Sequence, residues 1–250
     1  MAATTLSKII TIEQAVRPDA EAYWRTARAL LSREALLTGH EITHEAADGY
    51  LQQPANTERV QVNVTEILAE LQRKLTRYLD VTLTKDSGNT GTDGARADVV
   101  VDDQVVLSNV PATFLLFLDK RLVELQADLR KIPVQSAAED WAPSSETGLW
   151  RTAAVAVPTT TKEKAFKVVV DPTDKFPADV REVSRDVVTG TRTTVKLTSA
   201  PEPKWLRAVL ARVAALREAV QMAIHEANRT EVTDQKAGAA IFSFIFADGQ

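Results

Sequence analysis

Apolar residues recur at helical spacing in five stretches of the chain. Over residues 5–37, Leu6, Ile9, Ile10, Val16, Tyr23, Trp24, Ala27, Leu30, Leu31 and Leu37 follow a period of three to four. Pro18 lies inside this stretch, so a break is expected there, with Pro18 and Asp19 opening a second helix and Gly39 ending it. Asn63 stands three residues before Glu66, a capping-box spacing, ahead of Ile67, Leu68, Leu71, Leu75, Tyr78 and Leu79. A further helix is expected to open at Asn109-Val110-Pro111 and to stop at Pro133. It carries Leu115, Leu118, Leu122, Leu125, Leu129 and Ile132 as an a/d stripe. Ser199, Pro201 and Glu202 give the clearest start signal, for a helix running to about residue 232. There Leu206, Val209, Val213, Leu216, Val220, Ala223 and Ala227 keep a/d register, and Leu210 and Ile224 widen the stripe. Three apolar positions per heptad favour a multi-helix core over a two-stranded coiled coil. At that length the helix would cross a compact 250-residue globule or protrude onto another chain. Residues 237–246 form a last, short apolar element, helix or strand.

Between the helices the pattern turns to strands. Residues 59–64 alternate, and with 41–43 or 50–52 suggest a small hairpin. Residues 97–101 and 105–107 flank the tight polar turn Asp102-Asp103-Gln104, a second hairpin. Residues 150–157, 165–170, 179–188 and 191–197 read as an antiparallel meander, its last turn at Thr189-Gly190. Residues 133–148, rich in Ser, Pro and acidic side chains, are the linker candidate, pinned by Trp141. The fold class is therefore α+β: a multi-helix bundle of long amphipathic helices with an inserted antiparallel β-meander and one or two small hairpins. The expected organisation is one domain over 1–250. Its helical body is 1–132 and 199–246, with a β-rich insertion at 149–198.

Composition narrows the function classes. The chain is 44% hydrophobic and 26% charged, as in ordinary globular proteins. It has no cysteine, which removes disulfides, thiolate nucleophiles and cysteine-ligated metals and suits a cytoplasmic, reducing setting. No signal peptide or membrane-length apolar run is visible, so no membrane role is expected. The 30 basic and 34 acidic residues are interspersed, which disfavours nucleic acid as a partner.

One motif resembles chemistry. His40-Glu41-Ile42-Thr43-His44 matches H-E-x-x-H, which on a helix sets two imidazoles on one face to hold zinc, with the glutamate as general base. Gly39 directly before it, the charge of Glu45 after it and the missing third ligand argue against a zinc hydrolase. A polar loop or hairpin with two solvated histidines is the expected reading, with no metal and no cofactor. A second candidate is residues 83–94, read as a glycine-rich loop joining helix to strand. Its order is wrong for a P-loop, and Gly88 and Ala97 fall where a calcium loop needs oxygen ligands. What it could offer is a small-ligand site built from Lys85, Asp86 and Asn89, with Asp98 nearby.

Residues 82–89 (TLTKDSGN), 97–102 (ADVVVD), 110–122 (VPATFLLFLDKRL), 176–179 (FPAD) and 219–228 (AVQMAIHEAN) together resemble an uncharacterised family of bacterial, largely actinobacterial, proteins of about this length. The resemblance implies a bacterial, cytoplasmic protein of one architecture and supplies no activity. The leading expectation is a self-associating structural or interaction protein, a homo-oligomer without catalytic residues. It rests on the helical stripes and on a tail in which Phe242, Phe244 and Phe246 must be buried against something. A ligand-binding or enzymatic protein using the 85–98 region is the alternative, and the zinc hydrolase comes last.

Overall fold

A computed structural model describes residues 5–92, 94–172, 177–231 and 236–245. In chain order the elements are α1 (Leu6–Leu31), α2 (Glu34–Leu37), β1 (Thr38–Ala46), β2 (Asn56–Glu58), α3 (Val64–Thr90), β3 (Arg96–Val101), β4 (Gln104–Pro111), α4 (Ala112–Leu129), β5 (Trp141–Pro143), β6 (Trp150–Thr152), β7 (Val155–Val170), β8 (Asp179–Thr198), α5 (Pro203–Ala227) and α6 (Gly238–Ile245). The protein is thus α+β, with six helices among the described residues and two antiparallel sheets. It divides into two compact units: Met1–Val16, Arg77–Gln126 and Ala211–Gln250 in one, Arg17–Thr76 and Ala127–Leu210 in the other. Each of α1, α3, α4 and α5 has residues in both.

The second unit holds the larger sheet, in the order β2-β1-β8-β6-β5, with β7 also on β8. The expected turn at Thr189-Gly190 is not formed: β8 runs through it as one strand of 20 residues, and β7 is likewise one strand of 16. Gly190 explains the difference. It lies opposite Ala46 of β1, where an added Cβ would come within 2.5 Å of the Glu45 carbonyl oxygen. The glycine serves close strand approach rather than chain reversal. Gly39 sits inside β1 in the same way and ends no helix. β1 pairs with residues 56–58, not with the alternating run 59–64. In the same unit Ala20, Trp24, Ala27, Leu31, Leu37, Leu71, Leu129, Ile132 and Leu206 are buried. The Trp24 indole donates to Asp128 Oδ2 at 3.0 Å, and Arg28 Nε donates to the same oxygen at 2.8 Å.

In the first unit, Val99 and Val110 of the β3–β4 hairpin pack with Phe114, Leu115, Leu118 and Leu122 of α4 and Ala219, Val220, Ala223 and Ala227 of α5. The hairpin turn is the expected one, with Asp102 and Asp103 both at positive φ (48° and 61°). Val110 and Pro111, expected to open a helix, instead end β4.

Helix boundaries show which local signals prevail. Asn63 caps α3, its Oδ1 accepting the Thr65 N–H at 3.0 Å. Ser199 does not cap α5: its hydroxyl donates to the Val62 carbonyl at 2.6 Å, and the helix starts at Pro203. Pro18 does not break α1. It is exposed, and Gln14, whose carbonyl loses its donor, is exposed too, so water can satisfy that oxygen. Pro18→Ala should therefore stabilise the protein by about 2 kcal/mol, the helix-interior penalty of proline less its restriction of the unfolded chain. Urea unfolding of the two proteins checks this, and an unchanged midpoint would mean the helix is adapted to the proline.

Candidate interaction surfaces

The residues of the expected glycine-rich loop are mostly helical. α3 continues through Lys85, Asp86 and Asn89 to Thr90, and ends where Gly91 adopts φ +67°. Gly88 lies within the helix, where an added Cβ would meet Leu6 Cδ1 at 3.2 Å, so it lets α1 approach α3 closely. Lys85 Nζ donates to Glu13 Oε1 of α1 at 2.8 Å and lies 3.8 Å from Asp86 Oδ1, all three side chains being largely buried. Burial pushes the Asp86 carboxyl above its usual value, opposed by Lys85 and by a hydrogen bond to Thr113, and reinforced by Glu13. Asn89 is exposed in the last turn.

Asp98 stands apart, on β3. Its Oδ1 accepts the N–H of Asn109 at 2.7 Å, a residue at φ 54° beside the register shift of the β3–β4 ladder. Arg96 completes this corner. Its guanidinium donates to the carbonyls of Gly91 (2.7 Å), Ser87 (3.2 Å) and Asn109 (2.9 Å), satisfying the end of α3. The structure joins Lys85 to Asp86 and leaves Asn89 and Asp98 elsewhere; the charged groups that meet have one another as partners.

His40 and His44 lie on β1, a strand rather than the helix that H-E-x-x-H chemistry needs. Four residues along a strand put them about 13 Å apart, too far for one ion. His40 Nδ1 lies 3.3 Å from Glu58 Oε2, and the His44 carbonyl accepts from the Gln52 amide. Among the described residues no group of three or more His, Asp or Glu side chains could hold a metal ion. His40 does line a cavity of about 450 Å³ with Gln135, Glu139, Trp141 and Lys196. There Lys196 pairs with Glu139, and the Trp141 indole donates to the Ser136 carbonyl. A second cavity, of about 490 Å³, lies between Leu68 and Gln72 of α3 and the indoles of Trp150 and Trp205.

Two surfaces stand out by exposure. In α6, Ile241, Phe244 and Ile245 are 52%, 86% and 57% exposed. Phe242 belongs to the same helix by its backbone, and Phe246 lies outside the described residues. The other is the β7–β8 ribbon. β1 accompanies β8 only over Thr38–Ala46 against Gly190–Thr198, so from Thr160 paired with Val188 outward neither strand has another strand beside it among the described residues. Phe166, Val168, Val169, Val170, Val180, Val183 and Val188 are exposed on it. At its base Tyr50 donates to Glu163 Oε1 at 2.6 Å, while Arg185–Glu163 and Lys164–Glu182 pair across the strands. The placement of a turn at Gly190 hid this ribbon in the sequence; the signal for it was the run of β-branched residues on both sides of that glycine.

Among the described residues no helix is long and apolar enough to cross a membrane. An α+β chain with exposed apolar elements is the class these features define. The chain belongs to a family of unknown function, DUF7873, whose model matches residues 3–249. No curated protein and no solved structure matches it.

The Asp86 environment has a pH consequence. A raised folded pKa means the folded state holds this proton more tightly than the unfolded chain does. The associated stability is fully present below the ordinary aspartate value of 3.8 and is lost as pH rises through the raised value. Asp86→Asn, which keeps a hydrogen-bonding group for Thr113, should lack that decline. Unfolding free energies measured from pH 3 to 8 should show the wild-type advantage over the variant shrinking with pH; a constant difference would contradict the burial.

Proposed function

We propose that this chain is a self-associating structural or interaction protein without catalytic activity of its own. In this reading its long helices form a multi-helix bundle, and its apolar C-terminal helix is covered by another copy. The observation that carries it is α6: every side chain described there is exposed, in an eight-residue helix of sequence GAAIFSFI. A helix that short gains too little from its own hydrogen bonds to persist alone in water. Its apolar face gains stability by burial, and a second copy offers that burial at every site simultaneously. The ion-paired cluster at Lys85 supports the same view, since its charges are committed to one another.

Light scattering tests the proposal. The full chain at micromolar concentration should show a multiple of its 27.4 kDa mass. A chain ending at Lys236, or the variant Phe244→Asp, should show a lower mass while still unfolding in one cooperative transition. A monomeric full chain would overturn the reading.

A further inference from the structure

The β7–β8 ribbon has two open edges, and they are not equivalent. An antiparallel ladder between identical strands related by a twofold axis places one residue opposite its own copy, so each register is named by that residue. On β8, every register centred from residue 181 to residue 186 opposes like charges. Centres at Arg181, Glu182, Arg185 and Asp186 put a charge against itself. Val183 sets Arg181 against Arg185, and Ser184 sets Glu182 against Asp186. Over that stretch the edge repels its copy, whereas the centre at Val180, at the very start of the strand, sets Asp179 against Arg181.

β7 differs. Centres at Lys162, Glu163, Lys164 and Lys167 oppose like charges, and the centre at Phe166 pairs no charges. Of the centres from Lys162 to Lys167, that at Ala165 alone brings opposite charges together, with Glu163 facing Lys167 in both directions. It also sets Lys164 against the Phe166 ring, which is 72% exposed, where a cation gains from the aromatic face. Ala165, the smallest side chain of the ribbon's exposed span, falls on the axis. Lysines on an edge strand ordinarily block indiscriminate pairing. Here their spacing with Glu163 favours one register by charge.

We propose that β7 pairs antiparallel with β7 of a second copy about a twofold axis at Ala165, Glu163 facing the partner's Lys167 and Lys167 facing the partner's Glu163. This rests on the self-association reading and specifies one surface that serves it. The joined ribbons form a four-stranded sheet in the order β8-β7-β7-β8, which covers the edge that β7 leaves open.

The chain's lack of cysteine makes the register directly testable. Ala165→Cys places two thiols about 5 Å apart by Cα, within disulfide reach. Lys164→Cys and Phe166→Cys fall out of register, beyond about 7 Å. Under mild oxidation of the full chain, Ala165→Cys should give mostly covalent dimer, and the two flanking variants only background. Equal yields at all three positions, or none at Ala165→Cys, would overturn the register. Glu163→Lys should weaken dimerisation about tenfold, since symmetry repeats each repulsion, and adding Lys167→Glu should restore it. The double variant leaves the Tyr50 and Arg185 contacts of Glu163 broken, so rescue reports the contact between copies; a double variant as weak as the single one would overturn the pairing. If the full chain is multimeric and loses mass on truncation at Lys236 while Ala165→Cys stays uncoupled, the edge pairing alone falls. A monomeric full chain removes both proposals.

Discussion

The larger sheet depends on one strand serving two edges. Over residues 190–194, β8 is hydrogen-bonded to β1 on one side and to β7 on the other, and β6 joins it near its end. That arrangement requires β1 to lie close at Ala46 and Glu45, and position 190 admits it because it carries no side chain. From there β8 continues past the end of β1 and carries β7 with it. Stability at the base of the ribbon comes from a sheet with a buried side. Further out it comes from cross-strand pairs such as Lys164–Glu182, each worth a few tenths of a kcal/mol to about 1 kcal/mol. Two strands alone are marginal in water, so the outer ribbon is the part of this unit most in need of a third strand.

The first unit solves a different problem, that of ending a long helix whose last turns are polar. Residues 84–91 read TKDSGNTG, poor helix formers apart from Lys85. Tertiary contacts override the propensity: Thr82 is buried, Lys85 reaches Glu13, Gly88 admits Leu6, and Arg96 collects the terminal carbonyls. None of these partners is near in sequence except Arg96. A reading based on local signals therefore finds a loop where the chain forms two more helical turns.

Much of the fold was legible because it rests on local rules. The α+β class, the Asn63 cap and the Asp102-Asp103 turn follow from spacing and turn chemistry alone. So does the a/d stripe of α4, in which Leu115, Leu118, Leu122 and Leu129 are buried. What could not be read was set by neighbours distant in sequence. Pro18 is tolerated because its side of α1 faces water, Ser199 is drawn to Val62, and Gly190 is chosen by Glu45. The candidate site divides the same way. Proximity of Lys85 and Asp86 was visible, whereas their partner Glu13 and the separate duty of Asp98 were not.

Arg96 has a wider consequence. One guanidinium holds the closing carbonyls of α3 and the Asn109 carbonyl at the bulge of β4, while Asp98 holds the Asn109 N–H. Neither the helix end nor the hairpin bulge can loosen without surrendering bonds that belong to the other. Two consecutive elements of different kind thus share one local opening event, and the amides of both should be protected or lost together as a single cooperative unit.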